Sequence, residues 1–367
     1  MTDGIIVHEW LAPAGGSENV FEAIARAFPD AERWCLWNDS DRFDPVHETL
    51  LARTPLRGRK ALALPFMPAV WRHLPAREAD WILTSTHLFA HHARFGGPAR
   101  DAPKLVYAHT PARYIWVPEL DGRGDSLPAR LASRALKPLD RKRAQEPVAI
   151  AANSRFIAQR IADTWERDAE VIYPNVDVDR ILAEPLLTAR EESALAALPD
   201  EFLLGFSRFV PYKRLDAAID AGRVSGLPVV LAGGGDDEDR LRANAERMHP
   251  GRVTFVLNPS DPLLSAILRR ATALVFAPIE DFGIIPVEAM AAGTPVLVNA
   301  VGGAVESVVD GLTGAHVQDW ADDADLRAAV EKAARCSPSD CRNRATQFGQ
   351  DVFDGRIRDF VARHTGA

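Results

Sequence analysis

Cysteine is scarce: Cys35, Cys336 and Cys341 are the only three in a chain of 367 residues. So few thiols cannot staple a chain this long, which excludes a disulfide scaffold and sets the expectation of a reducing, cytoplasmic setting. Lysine is scarce too, 6 residues against 37 arginines. No run of about 18 apolar residues occurs, so no membrane-spanning helix is expected. Met1-Thr2-Asp3-Gly4 leads into a short apolar run without the basic flank and apolar stretch of a secretion signal. The chain has no excess of positive charge: its formal net charge is −8, which argues against a nucleic-acid partner. What remains is an ordinary globular composition, 47% apolar and 26% charged, and a length that suits two domains.

Charge is distributed unevenly. Residues 53–77 hold six basic and no acidic side chains, and residues 123–143 hold seven basic against two acidic. Leu62, Leu64, Phe66, Met67, Val70 and Trp71 lie among the arginines of the first stretch, and Leu131, Leu136 and Leu139 lie in the second. One reading is a solvated arginine-rich surface. The other is a patch for an anionic membrane surface, which would place the protein at the inner face of the membrane.

Strand and helix signals alternate along the chain. Short apolar runs bounded by turns fall at Gly4–His8, Arg33–Leu36, Trp81–Thr84, Lys104–Ala108, Val148–Ala152 and Glu170–Ile172. In the second half they fall at Phe202–Phe206, Pro228–Ala232, Val253–Val256, Ala273–Phe276 and Pro295–Asn299. Helical periods separate them, at about 213–224, 236–247, 261–271 and 286–292. Continuous apolar strands alternating with helices suit parallel sheets covered on both faces. The expected architecture is α/β, with two doubly wound Rossmann-like domains facing across a cleft. The first would span 1–174 and the second 175–367. The piece from Tyr173 to Pro199 reads as the connection plus a short helix. The last segment, with Val352, Ile357, Phe360 and Val361 on one face, reads as an amphipathic helix. It either caps the second domain or, over 346–367, crosses back to the first.

The densest chemistry lies in the run from Pro278 to Pro295. Pro286 suits the first position of a short helix and Gly293 its end. Backbone N–H groups around Gly283–Ile285 then form an anion site aided by the helix dipole, with Gly283 allowing close approach. Glu280 precedes that loop, and Glu288 sits one turn inside the helix. Two carboxylates framing a phosphate-friendly loop suit a nucleoside diphosphate sugar. Arg208 and Lys213, near the end of the first strand of the second half, would offset charge on a departing diphosphate without a metal.

Glu280-(seven residues)-Glu288, with Ser207-Arg208-Phe209-Val210-Pro211-Tyr212-Lys213-Arg214, resembles glycosyltransferase family 4, retaining enzymes of the GT-B fold. His8-Glu9-Trp10, Gly15-Gly16-Ser17-Glu18, Tyr107-Ala108-His109-Thr110-Pro111-Ala112-Arg113-Tyr114-Ile115-Trp116, Asn153-Ser154-Arg155-Phe156 and Val171-Ile172-Tyr173-Pro174-Asn175-Val176-Asp177 are similar to its bacterial O-antigen mannosyltransferase-like branch. The resemblance implies that Arg208 and Lys213 bind diphosphate, Glu288 the ribose, and Glu280 the transferred sugar. It places the backbone of Phe282, Gly283, Ile284 and Ile285 around sugar and phosphate, and Gly16 and His109 at the reaction centre from the first domain. The base would lie near Leu257, Asn258 and Leu263. The implied donor is GDP-mannose or a UDP-sugar, and the acceptor a glycan, lipid-linked or small-molecule hydroxyl. No cofactor and no metal are implied. Glu9 stands where the family pattern leads one to expect Asp. The competing readings are a non-catalytic nucleotide-sugar-binding partner subunit and a same-fold UDP-sugar epimerase or hydrolase.

Three weaker motifs point elsewhere. Asp177-Val178-Asp179 resembles a metal-binding pair but follows a turn. Gly233-Gly234-Gly235 suggests a dinucleotide fingerprint whose third spaced glycine is missing. His87, His91 and His92 could be zinc ligands by spacing, yet no cysteine accompanies them.

Overall fold

The computed structural model describes residues 4–117 and 127–366. Its chain divides into two compact units, 1–175 with 350–367, and 176–349.

The first unit is built on a parallel sheet of seven strands: β1 (Gly4–His8), β2 (Glu32–Cys35), β3 (His47–Glu48), β4 (Trp81–Thr86), β5 (Lys104–Ala108), β6 (Ala149–Ala152) and β7 (Glu170–Val171). Their order is β3-β2-β1-β4-β5-β6-β7. The central strands β1, β4 and β5 are buried along their whole length, which is why they read as unbroken apolar runs. β3 gave no such signal because both of its residues are exposed.

The second unit has six parallel strands, β8 (Leu203–Arg208), β9 (Val229–Gly234), β10 (Val253–Leu257), β11 (Ala273–Phe276), β12 (Val296–Asn299) and β13 (Gly314–Val317). Their order is β10-β9-β8-β11-β12-β13. β13 was not expected, since Gly-Ala-His-Val lacks a β-branched run. Both sheets reverse direction of growth at one place, between β1 and β4 and between β8 and β11. Doubly wound sheets bind ligands beyond the carboxyl ends of the strands at that point.

Three details differ from expectation. The connector carries two short helices, Val178–Leu182 and Ala189–Ala196. Asp177 Oδ1 accepts from the Arg180 N–H at 3.2 Å, and Thr188 with Glu191 forms a capping box, so local caps end the turns. The second unit stops at Gly349 rather than running to 367, and helix Gln350–Thr365 counts with the first. That helix buries Phe353, Ile357, Phe360 and Val361 in one cluster with Ile6, Val20, Ile24, Leu83 and Tyr107. Each such side chain contributes about 1.5–3 kcal/mol, and Arg358 Nε donates to the Ala27 carbonyl at 3.1 Å. Its inward face is one residue off the expected one: Phe353 is buried and Val352 is exposed.

Several arginines of the first basic stretch meet acids from elsewhere in the chain. Arg57 pairs with Asp39 and Glu48, Arg72 with Glu146 at 2.7 Å, and Arg77 with Glu32. Met67 and Trp71 are core residues, whereas Leu62 and Phe66 are exposed. Of the second stretch, residues 123–126 lie outside the described residues, as do the side chains of 127–132, Leu131 among them. Leu136 and Leu139 are half-buried. Among the described residues no helix is long and apolar enough to cross a membrane.

Candidate functional site

In the second unit, residues at the ends of β8 and β11 meet. Lys213 ends a short turn, Pro211–Lys213, that follows β8. Its ammonium lies 2.5 Å from Glu280 Oε1, with both side chains largely buried. Arg208, the last residue of β8, donates from Nη2 to the Tyr212 hydroxyl at 2.8 Å. The Lys213 ammonium lies 5.2 Å from the centre of the Tyr212 ring. The two expected phosphate cations and the expected sugar carboxylate thus form one cluster at the switch point.

Helix Ile284–Ala292 starts beside it. Gly283 is its N-cap at φ +88°, and Gly293 ends it at φ +95°. Pro286 is therefore the third helical residue and not the first. The left-handed glycine turns the chain two residues earlier than a proline start would, and a proline is tolerated there because the first N–H groups have no intrahelical acceptor. Ile284 and Ile285 are half-buried, while Phe282 is buried against Phe348 with ring centres 5.5 Å apart.

Glu288, half-buried, belongs to this helix, which packs against helix Val178–Leu182. Burial raises its carboxyl above the ordinary range; Arg180 opposes this, and Asp261 and Asp177 reinforce it. Arg180 itself is 3.4 Å from Asp177 and 3.6 Å from Asp261. These three charged neighbours were missed in the sequence, because they come from two other segments, the start of helix Val178–Leu182 and the start of helix Asp261–Arg270, that only the fold brings to Glu288.

The expected base residues lie at and after the end of β10: the Asn258 side chain packs on Gly234, the register partner of Arg208, and Leu263 lies in the helix Asp261–Arg270 that follows. Leu257 is 43% exposed. Asn258 takes a left-handed conformation, φ +44°, and its N–H donates to the Gly233 carbonyl at 2.8 Å. Leu263 is buried, and its N–H is capped by Ser260 Oγ at 3.3 Å. The Gly233–Gly235 triplet has a packing cause: a Cβ on Gly233 would stand 1.9 Å from the Ser207 carbonyl oxygen. A second glycine pair went unread. A Cβ on Gly303 would stand 2.0 Å from the Asp281 carbonyl oxygen, and the Gly303 N–H donates to the Glu280 carbonyl at 2.8 Å. Gly302–Gly303 therefore holds the loop that presents Glu280 by backbone-to-backbone contact.

In the first unit, the ends of β1, β4 and β5 bring together His8, Ser85, His87 and His109. The ring centres of His8 and His87 are 5.5 Å apart, of His8 and His109 6.1 Å, and of His87 and His109 6.3 Å. Burial is the main reason that all three are held neutral, with pKa values lowered to about 3. Gly16 is the first residue of helix Gly16–Ala27, whose Phe21 ring lies 5.3 Å from His8. A Cβ on Gly15 would stand 2.1 Å from the Glu18 carboxylate, so the bare backbone there leaves room for that side chain to fold back over the turn.

Glu9 has a definite task. Its buried carboxylate accepts from Thr86 Oγ1 at 3.0 Å, from Leu88 N–H at 2.9 Å and from Ala90 N–H at 2.8 Å. One carboxylate thus holds the loop that follows β4. His91 and His92 do not join His87. They gather around Asp140, where three ligand-type atoms lie within 4.8 Å of one another. Asp140 Oδ2 already accepts from Trp116 Nε1 at 2.7 Å and Trp165 Nε1 at 2.8 Å, and Oδ1 lies 3.1 Å from His92 Nε2. A fully buried carboxylate engaged by two indoles is a hydrogen-bonded anchor, and a poor fit to a metal.

The comparisons follow the same division. The family model described as Glycosyltransferase Family 4 matches residues 14–180, and the one described as Glycosyl transferases group 1 matches residues 189–351. The chain belongs to the glycosyltransferases. A D-inositol 3-phosphate glycosyltransferase of Mycobacterium tuberculosis is 32% identical over 289 residues, 72% of this chain. The chain spans 58% of the length of that relative. Among solved structures, HepE of Anabaena in complex with UDP-glucose superposes with a TM-score of 0.69 at 19% identity, covering 98% of this glycosyltransferase and 99% of HepE. Sucrose-phosphate synthase of Thermosynechococcus elongatus gives 0.69 at 18% identity, covering 99% of each chain. WaaG, a glycosyltransferase involved in lipopolysaccharide biosynthesis, gives 0.63 at 17% identity, covering 97% and 99%. The glycosyltransferase shares their fold, two Rossmann-like domains of the GT-B kind.

Proposed function

We propose that this glycosyltransferase moves a hexose from a nucleoside diphosphate sugar to a hydroxyl acceptor, with retention at the anomeric carbon and without a divalent metal. The observation that carries the reading is the Lys213–Glu280 pair at the switch point, beside the helix that begins at Gly283. Lys213 and Arg208 offset the charge that develops on the departing diphosphate. Glu280 orients the sugar, and Glu288 receives the ribose hydroxyls. The leaving phosphate oxygen takes the acceptor proton on the face from which it departs, so positioning and charge do the catalysis.

GDP-mannose is the first donor on the strength of the motifs quoted above. A UDP-sugar is the second, supported by the UDP-glucose bound to HepE. The acceptor is a glycan, lipid-linked or small-molecule hydroxyl. A thermal-shift panel of GDP-, UDP- and ADP-sugars, with magnesium and with chelator, tests the reading. The native donor is expected to raise the midpoint of one transition equally in both conditions, about 2.7 kcal/mol of stabilisation at 100 times its Kd. Stabilisation only with magnesium overturns the metal-independent reading, and no shift with any donor overturns the nucleotide-sugar reading.

A peripheral membrane position is part of the proposal, in a form narrower than the sequence suggested. Arg59, Leu62 and Phe66 offer an exposed cation and two exposed apolar side chains. Flotation with vesicles rich in anionic lipid is expected for the wild type and lost in a Leu62→Ser, Phe66→Ser, Arg59→Ser variant. Equal flotation of both proteins removes the idea.

A further inference from the structure

The hydrogen bonds behind His109 determine which of its nitrogens carries the proton. His8 Nδ1 lies 3.1 Å from the Ser85 backbone carbonyl oxygen and 3.1 Å from Ser85 Oγ. A carbonyl only accepts, so His8 Nδ1 must carry hydrogen. His8 Nε2 is then a buried lone pair, and it has no partner among the described residues. Ser85 Oγ stands between the two rings, 2.9 Å from His109 Nε2. With His8 facing it as donor, the hydroxyl has its own hydrogen left for one acceptor, His109 Nε2. The proton of the neutral His109 ring is thereby placed on Nδ1, which has no hydrogen-bond partner among the described residues.

We infer that Ser85 and His8 are positioning residues, a relay that locks His109 as a neutral hydrogen-bond donor through Nδ1 toward a hydroxyl or phosphate oxygen of the bound substrates. This inference rests on the reading that His109 faces the reaction centre. A ring used this way cannot be the general base, because its one lone pair is held by Ser85. That agrees with a reaction in which the leaving phosphate takes the acceptor proton. The surroundings keep the ring neutral. His8 and Glu9 stand at the end of β1 and His87 after β4. The Tyr107 ring lies edge-on, with its centre 5.3 Å away. Lys60 and Arg113 add positive charge beside His87.

Nitrogen NMR of histidine-labelled protein reads the tautomer directly, with the His109 signals assigned by their loss in His109→Gln. The expected spectrum has His8 and His109 both as Nδ1–H tautomers. Ser85→Ala is expected to convert His109 to a mixture and to lower kcat about 10-fold to 100-fold, by analogy with the loss of the hydrogen-bond partner that orients a metal-bound histidine. KM for the donor is expected to stay within about twofold by the same reasoning, since the relay acts on the ring and not on the diphosphate. Ser85→Thr, which restores the hydroxyl, should recover the Nδ1–H tautomer and most of the turnover. An Nε2–H tautomer of His109 in the wild type overturns the relay. So does a Ser85→Ala protein with unchanged tautomer and kcat. Should the chain transfer no sugar from any donor, the functional reading fails, and the wild-type spectrum alone still decides the relay.

Discussion

Lys213→Ala is expected to lower kcat by about 10²–10³, the loss seen when one fixed group is removed from a charge developing in a transition state. The side chain stands at the switch point with its ammonium on Glu280. In the absence of donor the carboxylate satisfies the ammonium. On the proposed reading, a diphosphate arriving beside the helix that starts at Gly283 adds a second anion to the same cation. The ammonium can bridge both, because it has three hydrogens to donate. Its removal takes away the cation placed where charge develops on the leaving group, so the effect falls on turnover and not only on affinity. Lys213→Arg keeps the charge but not the compact geometry, and is expected to fall between the wild type and alanine. Glu280→Gln keeps a hydrogen-bond acceptor for Lys213 while removing the negative charge. It separates the loss of sugar orientation from the loss of the cation. Steady-state kinetics with saturating donor checks all three. Turnover within twofold of the wild type for Lys213→Ala would take the cation out of the reaction, and with it the role given to Arg208.

Much of this cluster was legible in the sequence because its parts are local. Glu280, Gly283 and Glu288 share one strand-loop-helix segment, and Arg208 and Lys213 share another. Each segment announces itself by an apolar run that ends in proline and charge. The strands were legible for the same reason, since a buried parallel strand is a continuous apolar run. What was not legible joins residues far apart in the chain. Ser85 is a serine in an apolar strand until β1 and β5 bring His8 and His109 to it. Gly302–Gly303 is an ordinary turn until it is seen lying on the backbone of Asp281. The ion pairs of the basic stretch at 53–77 were illegible for a related reason. Counting charge along a segment does not reveal that Glu48 and Glu146 lie against Arg57 and Arg72.

Asp140 is the sharpest case of this kind, and it carries the largest expected effect on stability. The residue sits in the second basic stretch and reads as a stray acid on a solvated helix, yet it is fully buried. Burial on its own would raise its carboxyl; the imidazoles of His91 and His92 outweigh that and hold it well below the usual carboxylate range. The carboxylate is therefore ionised at neutral pH. It draws together Trp116, Trp165 and His92 from three different segments. Asp140→Ala would strand two indole N–H groups and an imidazole in the core, where each unpaired donor costs about 1–3 kcal/mol. These penalties are not additive, and breaking a buried charged network by removing one member typically costs about 3–5 kcal/mol. The transition of the first unit in urea, followed by tryptophan fluorescence, is expected to move by that amount. Asp140→Asn keeps one acceptor oxygen but turns amide hydrogens toward N–H donors, so it should recover little. A change below about 1 kcal/mol, within the range of an ordinary surface substitution, would show that the four side chains do not act as a unit. Zinc added to the wild type supplies the opposing test. If His91, His92 and Asp140 serve a metal, the ion stabilises the folded chain by mass action; if they form the anchor described here, it leaves the midpoint where it was.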